Sequence, residues 1–214
     1  MKKTFIKILF LSALIGGLAE CRKGEDDPLI SFRSRKARVA GEWKLTSGSV
    51  TGLSTSHGTN PVTTSYTENY TESTYSYFSN SGSQSGTHSY DIEFKKDGTY
   101  TSTQKMSTTI TGTVVNNITI TTSGVWNFTG RVGDYKEKEQ IVLKETSRSE
   151  IDQTGNQITT TSNTIGGKDF GGEHMMSWTL KELRNKKLVV YSKITESDAT
   201  SFGSSEMEMT FEQD

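Results

Sequence analysis

Cysteine and histidine are scarce in this sequence of 214 residues, which contains one cysteine and three histidines. A single cysteine cannot form a disulfide within the chain, even in an oxidising compartment. The histidines, His57, His88 and His174, are far apart and lie among Ser, Thr and Gly. Metal sites usually need several ligands at short spacings, so we interpret the three as loop residues and expect no metal site.

The patterns typical of catalysis are also missing. The sequence has no Gly-x-Ser-x-Gly elbow and no nucleophile with a recognisable base and orienting group. The glycine pairs at 166–167 and 171–172 are not followed by a helical pattern, which disfavours a phosphate-binding loop. Lys and Arg number 24 against 25 Asp and Glu, without a basic stripe. We expect a protein that is not an enzyme, uses no cofactor and does not bind nucleic acid.

One apolar stretch, Ile6 to Leu18, is too short to span a membrane, which takes about 20 residues. Two lysines precede it and Cys21 follows it, a pattern that predicts a signal peptide over residues 1–20. A lone cysteine at this place resembles the lipobox of bacterial lipoproteins. The resemblance implies that Cys21 carries acyl chains such as palmitate and anchors the protein to the outer membrane. An ordinary secretory signal with an incidental thiol is the alternative.

Residues 21–40 are interpreted as a charged tether that ends in a short helical turn. The run Arg22 to Pro28 resembles the surface-export signal of some Gram-negative lipoproteins, which implies display on the cell surface. A flexible, self-repelling linker would account for the same residues, so both explanations stay open. Removal of residues 1–20 would leave 21 positive and 24 negative side chains.

Alternation of apolar and polar residues predicts strands in the rest of the chain. The clearest case is residues 118–128, where one face carries Ile118, Ile120, Thr122, Gly124, Trp126 and Phe128. Nine or ten such segments follow one another with almost no helix. Antiparallel strands joined in sequence favour an up-and-down barrel. We therefore predict a single all-β domain over residues 41–214, an antiparallel barrel of about 8–10 strands.

The dipeptide Asp97-Gly98 between alternating segments marks a β-hairpin. A two-residue loop would place Phe94 opposite Thr101. A three-residue loop, with Gly98 in the left-handed conformation, would place Phe94 opposite Tyr100. Because register is strongly specified where one face is buried, we predict the three-residue loop.

Tyrosines are concentrated between Val62 and Asn80, where Thr, Ser and Glu fill most other positions. We predict a long edge-like strand or hairpin arm here, followed by a flexible loop from Ser79 to Ser89. The tyrosines could stack on sugars or cover the sheet, and we favour covering the sheet.

Four short motifs occur in order along residues 41–195. They are Gly41-Glu42-Trp43-Lys44-Leu45, the segment from Ile92 to Tyr100, Gly124-Val125-Trp126-Asn127-Phe128, and the closing pair of segments that begin at Trp178 and Leu188. Their order and spacing resemble the lipocalin-like (calycin) lipoproteins of bacteria. The resemblance implies a barrel of about eight strands, closed near Trp43 and open at the other end to a small hydrophobic ligand.

An inward-facing set would line the cavity of such a barrel: Phe94, Tyr100, Met106, Ile120, Trp126, Phe128, Trp178 and Val190. Trp43 is expected to pack at the barrel floor, whereas Trp126 and Trp178 could line the cavity or fill the core. We predict a lipid-anchored, non-catalytic protein that binds a small hydrophobic or amphipathic ligand. The alternative is a surface module with a solid barrel, whose Tyr/Thr/Ser-rich arms bind glycan or a partner protein. A third hypothesis is an accessory subunit of an outer-membrane assembly.

Overall fold

The computed structural model describes residues 33–56, 61–110, 114–131, 133–164, 175–197 and 201–213. The predicted signal peptide, Cys21 and most of the predicted tether lie outside these residues. The one helix of the described part, α1 (Arg35–Val39), is short and lies where the sequence predicted a helical turn. No helix among the described residues is long and apolar enough to cross a membrane.

Eleven antiparallel strands make up most of the rest of the described chain, so the fold is all-β as the sequence predicted. They are β1 (Gly41–Ser56), β2 (Thr63–Thr71), β3 (Thr74–Ser79), β4 (Gly82–Phe94), β5 (Thr99–Ile110), β6 (Val114–Phe128), β7 (Gln140–Thr154), β8 (Gln157–Thr164), β9 (Met175–Leu183), β10 (Lys187–Ser197) and β11 (Ser201–Glu212).

The strands close into an up-and-down barrel. Residues 41–44 of β1 pair with residues 91–94 of β4, which joins the ends of a sheet that runs through β5, β6, β7, β9, β10 and β11. Eight strands form the ring at this end. At the other end β1 pairs with β2 and β4 pairs with β3, so the ring widens to ten strands. Strand β8 pairs with residues 147–154 of β7, along the same edge that pairs with β9 at residues 140–144.

Alternation places one face of the barrel strands inside, and bulges in β1 and β7 shift it locally. On β6 Thr122, Gly124 and Trp126 are buried, whereas Val125 and Asn127 between and after them are exposed. Ile141 and Leu143 of β7 are buried in the same way. The alternation of apolar and polar residues that predicted these strands therefore matches the alternation of buried and exposed side chains.

The eight-stranded end is filled solidly. Its largest fully buried side chains are Trp43, Trp178, Phe94, Phe211, Leu45, Ile141, Leu180, Leu183, Leu188, Val39 and Val190. Helix α1 covers this end, since the indole Nε1 of Trp43 donates to the Val39 carbonyl at 2.7 Å. Arg38 Nη1 donates to the Leu183 carbonyl at 2.5 Å, which connects α1 to the end of β9.

The Asp97-Gly98 hairpin has the predicted three-residue loop. Phe94 lies opposite Tyr100, Lys95 N donates to the Thr99 carbonyl, and Gly98 has a φ of 96°. Asp97 Oδ1 accepts hydrogen bonds from both the backbone N and the hydroxyl of Thr99, at 2.9 and 2.7 Å.

The predicted flexible loop from Ser79 to Ser89 is wrong. Strand β4 begins at Gly82 and pairs with β3 on one side and β5 on the other. A Gly/Ser-rich segment without apolar alternation has no strand signal of its own, and its two neighbours impose the extended conformation on it. The segment before it is the predicted hairpin arm, formed by β2 and β3.

Candidate ligand-binding chambers inside the barrel

Above the packed end, the barrel interior contains two chambers. The first, which we call the central chamber, has a volume of about 200 Å³ and is lined by Tyr90, Tyr100, Ser102, Gln104, Ile120, Thr122, Leu143, Glu145, Arg148, Met175, Met176 and Trp178. The second, the tyrosine chamber, has a volume of about 290 Å³ and is lined by Glu68, Tyr70, Tyr75, Tyr77, Gln84, Met106, Thr108, Asn116 and Ile118.

A larger concavity of about 670 Å³ lies on the outside of the barrel. Lys44, Asp91 and Thr103 border it, and they alternate with the buried Trp43, Ile92 and Ser102, so they point away from the interior. It is a surface depression on β1, β4 and β5 rather than part of the enclosed space.

The eight residues predicted to line a cavity fall into two groups. Tyr100, Ile120 and Trp178 line the central chamber, and Met106 lines the tyrosine chamber. The other four line neither chamber: Phe94, Trp126, Phe128 and Val190. Phe94 and Trp126 are in edge-to-face contact, with ring centroids 5.4 Å apart, so they fill the core. Trp43, predicted at the barrel floor, is buried at the closed end.

The lower side of the central chamber is apolar and its walls are polar. Trp178 and Leu143 belong to the buried core beneath it. The hydroxyls of Ser102 and Thr122 form a hydrogen bond with each other across β5 and β6. Burial raises the pKa of Tyr90 to about 12 and raises that of Tyr100 as well. Both phenols are therefore neutral at ordinary pH and keep a hydroxyl hydrogen to donate.

One arginine and one carboxylate lie in the wall of the central chamber. Arg148 Nη1 is 3.8 Å from Glu145 Oε2, and Arg148 Nη2 is 3.5 Å from Glu150 Oε2. These separations are longer than the 2.7–2.9 Å of a close charge-assisted hydrogen bond. The guanidinium therefore has donors left to offer a ligand that enters the chamber.

Arginine 148 was not among the residues predicted from the sequence, and simple alternation would have missed it. Ile141, Leu143 and Glu145 share a parity that would continue at Ser147. The β6–β7 register shifts between Ser123 and Gly124, which turns Arg148 inward instead. Of these charged residues, only Glu145 could have been predicted to face inward, because it continues the alternation of Ile141 and Leu143.

The tyrosine chamber is built by the β2–β3 hairpin. Because the turn changes the parity, Tyr70 lies opposite Tyr75 and Glu68 lies opposite Tyr77, so all four point inward. Tyr70 and Tyr75 stack with centroids 6.5 Å apart, and Tyr77 stacks on Tyr66 at 6.1 Å. Alternation counted straight along the chain would put Tyr66 and Tyr70 on one face and Tyr75 and Tyr77 on the other, so the shared face corrects that expectation.

Two hydrogen bonds connect side chains that line the tyrosine chamber. Tyr70 OH donates to Glu68 Oε2 at 2.5 Å, and the hydroxyls of Tyr75 and Thr108 are hydrogen-bonded. Burial, followed by the hydrogen bond to Glu68, raises the pKa of Tyr70. The phenol is therefore neutral and donates its hydrogen to the Glu68 carboxylate.

His88 lies between the two chambers. It is 4% exposed, its ring centroid is 4.7 Å from that of Tyr70, and its Nε2 is 3.2 Å from the amide nitrogen of Gln104. Within the described part of the chain, Nδ1 has no hydrogen-bond partner. Burial lowers the pKa of His88. The prediction of a loop histidine is therefore wrong here, whereas His57 and His174 lie outside the described residues.

No group of three or more His, Cys, Asp or Glu side chains among the described residues could hold a metal ion. Comparison of the chain with family models, with curated proteins and with solved structures returned no match. The structure itself defines the class: a closed antiparallel β-barrel, compatible with a lipocalin-like fold, with two cavities above its packed end.

Proposed function

We propose that this protein is a lipid-anchored, non-catalytic barrel that binds a small amphipathic molecule in the central chamber. The observation that carries the proposal is the mixed lining of one interior space. Trp178, Leu143 and Ile120 offer apolar contact, and Tyr90 and Arg148 offer hydrogen-bond donors. An apolar lining with a few placed polar groups is typical of small-molecule sites.

The size of the central chamber limits its ligand. Its volume of about 200 Å³ is below the range of roughly 300–1,000 Å³ found for drug-sized ligands. We therefore expect short-chain fatty acids and small phenols to bind, and haem or retinoid-like molecules to be excluded. A carboxylate or hydroxyl on the ligand would meet Arg148 and the neutral phenols, with its apolar end against Trp178.

Tryptophan fluorescence tests the proposal, because Trp178 lines the chamber. Protein that starts at Arg22 is titrated with a series of fatty acids from hexanoate to palmitate and with retinol. We expect a saturable change that is strongest for the short members. Ile120→Phe should abolish it by filling the chamber, while the exposed Ile158→Phe on β8 should not. A wild-type protein without any saturable response would contradict the proposal.

The anchor and the location belong to the same proposal and rest on the sequence pattern around Cys21. Cys21→Ala should move the protein from the outer-membrane fraction to the soluble periplasmic fraction, because it removes the residue that would carry the acyl chains. Protease treatment of intact cells then reports whether the anchored barrel is displayed on the surface. If Cys21→Ala stays with the membrane, the lipid anchor is wrong.

The alternative function, a surface interaction module, needs a test that takes account of the orientation of β2 and β3. Tyr70, Tyr75 and Tyr77 point into the barrel, so they are not an outer platform for stacking on sugars. Deletion of residues 63–88 would remove β2, β3 and part of β4 and would break the ring at its wider end. Phe78, which is exposed on the outside of β3, is the better target: Phe78→Ser should weaken a partner at this surface without opening the barrel.

A further inference from the structure

We propose that the tyrosine chamber is a second binding site and that its ligand is a small organic ammonium ion. The site differs from the central chamber in its walls and in its charge, so it goes beyond the function proposed above. Three tyrosine rings and one carboxylate face its interior, from Tyr70, Tyr75, Tyr77 and Glu68. This combination suits a positively charged nitrogen that carries small alkyl groups.

The aromatic walls supply the first half of the recognition. The face of a tyrosine ring carries negative potential and attracts a cation placed within about 6 Å of its centroid. Tyr70 and Tyr75 are stacked on one side of the hairpin and Tyr77 stacks on Tyr66, so the rings are held in place before a ligand arrives. Met106 adds a polarisable apolar contact.

The carboxylate supplies the second half. Glu68 accepts a hydrogen bond from Tyr70. None of the residues that line the chamber is positively charged. Asp152 lies opposite Ile118 on the inward face of the neighbouring strand, which makes this part of the interior more acidic. The space therefore has negative charge without a counterion from its own walls.

Histidine 88 does not act as an internal counterion. It lies against Tyr70 at 4.7 Å between centroids, and because burial lowers its pKa it stays neutral at pH 7. Arg148 lies beside Glu145 and Glu150 and borders the central chamber, not the tyrosine chamber. A ligand cation inside the tyrosine chamber is therefore the partner that we assign to Glu68.

Calorimetric titration of the full-length protein, purified in an uncharged maltoside detergent, tests the site. Choline and its carbon analogue 3,3-dimethylbutan-1-ol have nearly the same shape and differ in the positive charge. We expect saturable binding of choline and binding of the neutral analogue that is weaker by at least about tenfold. Equal binding of the two, or no saturable heat from choline, would overturn the proposal.

Two variants locate the effect. Glu68→Gln keeps an acceptor for the Tyr70 hydroxyl and removes the charge, so choline affinity should fall at least about tenfold while the circular dichroism spectrum is unchanged. Glu72→Gln is the matched control, because Glu72 lies in the same hairpin and pairs with Lys44 on the outside. Unchanged affinity in Glu68→Gln would overturn the proposal. Loss of fatty-acid binding in Ile120→Phe with choline binding retained would show that the two sites are distinct.

Discussion

Gly124 on β6 lies directly opposite Tyr100 on β5, and both face the barrel interior. A Cβ atom on Gly124 would be 2.7 Å from Tyr100 Cε1 and 2.1 Å from the Lys144 carbonyl oxygen. The tyrosine ring thus occupies space that only glycine leaves free. Gly86 lies opposite the inward Tyr75 in the same way. A glycine opposite a tyrosine therefore occurs in the wall of each chamber.

The first prediction concerns this close approach. Gly124→Ala should lower the free energy of unfolding by about 1–3 kcal/mol, because the added methyl group overpacks against backbone that cannot move easily. Urea denaturation measures the change. Gly130→Ala is the control, since nothing lies within 4 Å of a Cβ there, and it should change stability by less than about 1 kcal/mol. Equal effects of the two substitutions would refute the close approach.

The hairpin turn gives a second prediction. Gly98 has a φ of 96°, a conformation that is unfavourable for a residue with a Cβ. Gly98→Ala should therefore cost about 1 kcal/mol or more of folding free energy. Thermal unfolding followed by circular dichroism reports it. Gly98→Asn should cost less, because Asn tolerates the left-handed region better than Ala, and the reverse order would argue against a left-handed turn.

The third prediction tests how solid the closed end is. Phe211 is fully buried, stacked on Trp178 at 5.8 Å and in edge contact with Tyr90 at 5.6 Å. Phe211→Ala should cost about 3–5 kcal/mol, since it removes apolar burial and leaves a cavity. Phe202→Ala on the outward face of the same strand should cost less than about 1 kcal/mol. Chemical denaturation of both variants gives the comparison, and a small loss in Phe211→Ala would mean that this end is not well packed.

The buried histidine predicts a dependence of stability on pH. The unfolded chain protonates His88 near pH 6.5, whereas burial lowers the pKa of His88 in the fold. Below about pH 6.5 the unfolded state therefore binds more protons, and the free energy of unfolding falls as the pH decreases through that value. His88→Gln removes this contribution, so its profile between pH 7.5 and 5.5 should be flatter than that of the wild type. Glu68 and the phenol of Tyr70 are the ionisable groups nearby, and both are retained in the variant. Parallel profiles would contradict the burial of a neutral imidazole.

Several features of the fold follow from local residues. The register of the β4–β5 hairpin follows from Asp97-Gly98 and from the need to keep Phe94 and Tyr100 on one face. The inward face of β6 follows from alternation over residues 118–128. Strand β4 does not follow in this way, because residues 82–89 are Gly/Ser-rich and become extended through pairing with β3 and β5.

The chambers were only partly predictable. Phe94 and Trp178 point to the same interior, yet Phe94 is in the packed core and Trp178 borders the central chamber. Alternation along a strand predicts which side chains face the interior. It does not predict how far along the barrel axis each of them lies. Arg148 points inward only because a bulge precedes it, and Tyr75 joins Tyr70 because the β2–β3 turn changes the parity.

By itself, the sequence determined that the chain forms strands, which side of most of them faces inward, and where one hairpin turns. These are properties of neighbouring residues, set by the side-chain period of two and by the dihedral angles that glycine permits. The tertiary structure alone decided which inward side chains fill a solid end and which border a chamber. That outcome depends on the closure of β1 against β4 and on bulges in paired strands, and both arise from contacts between segments far apart in the chain.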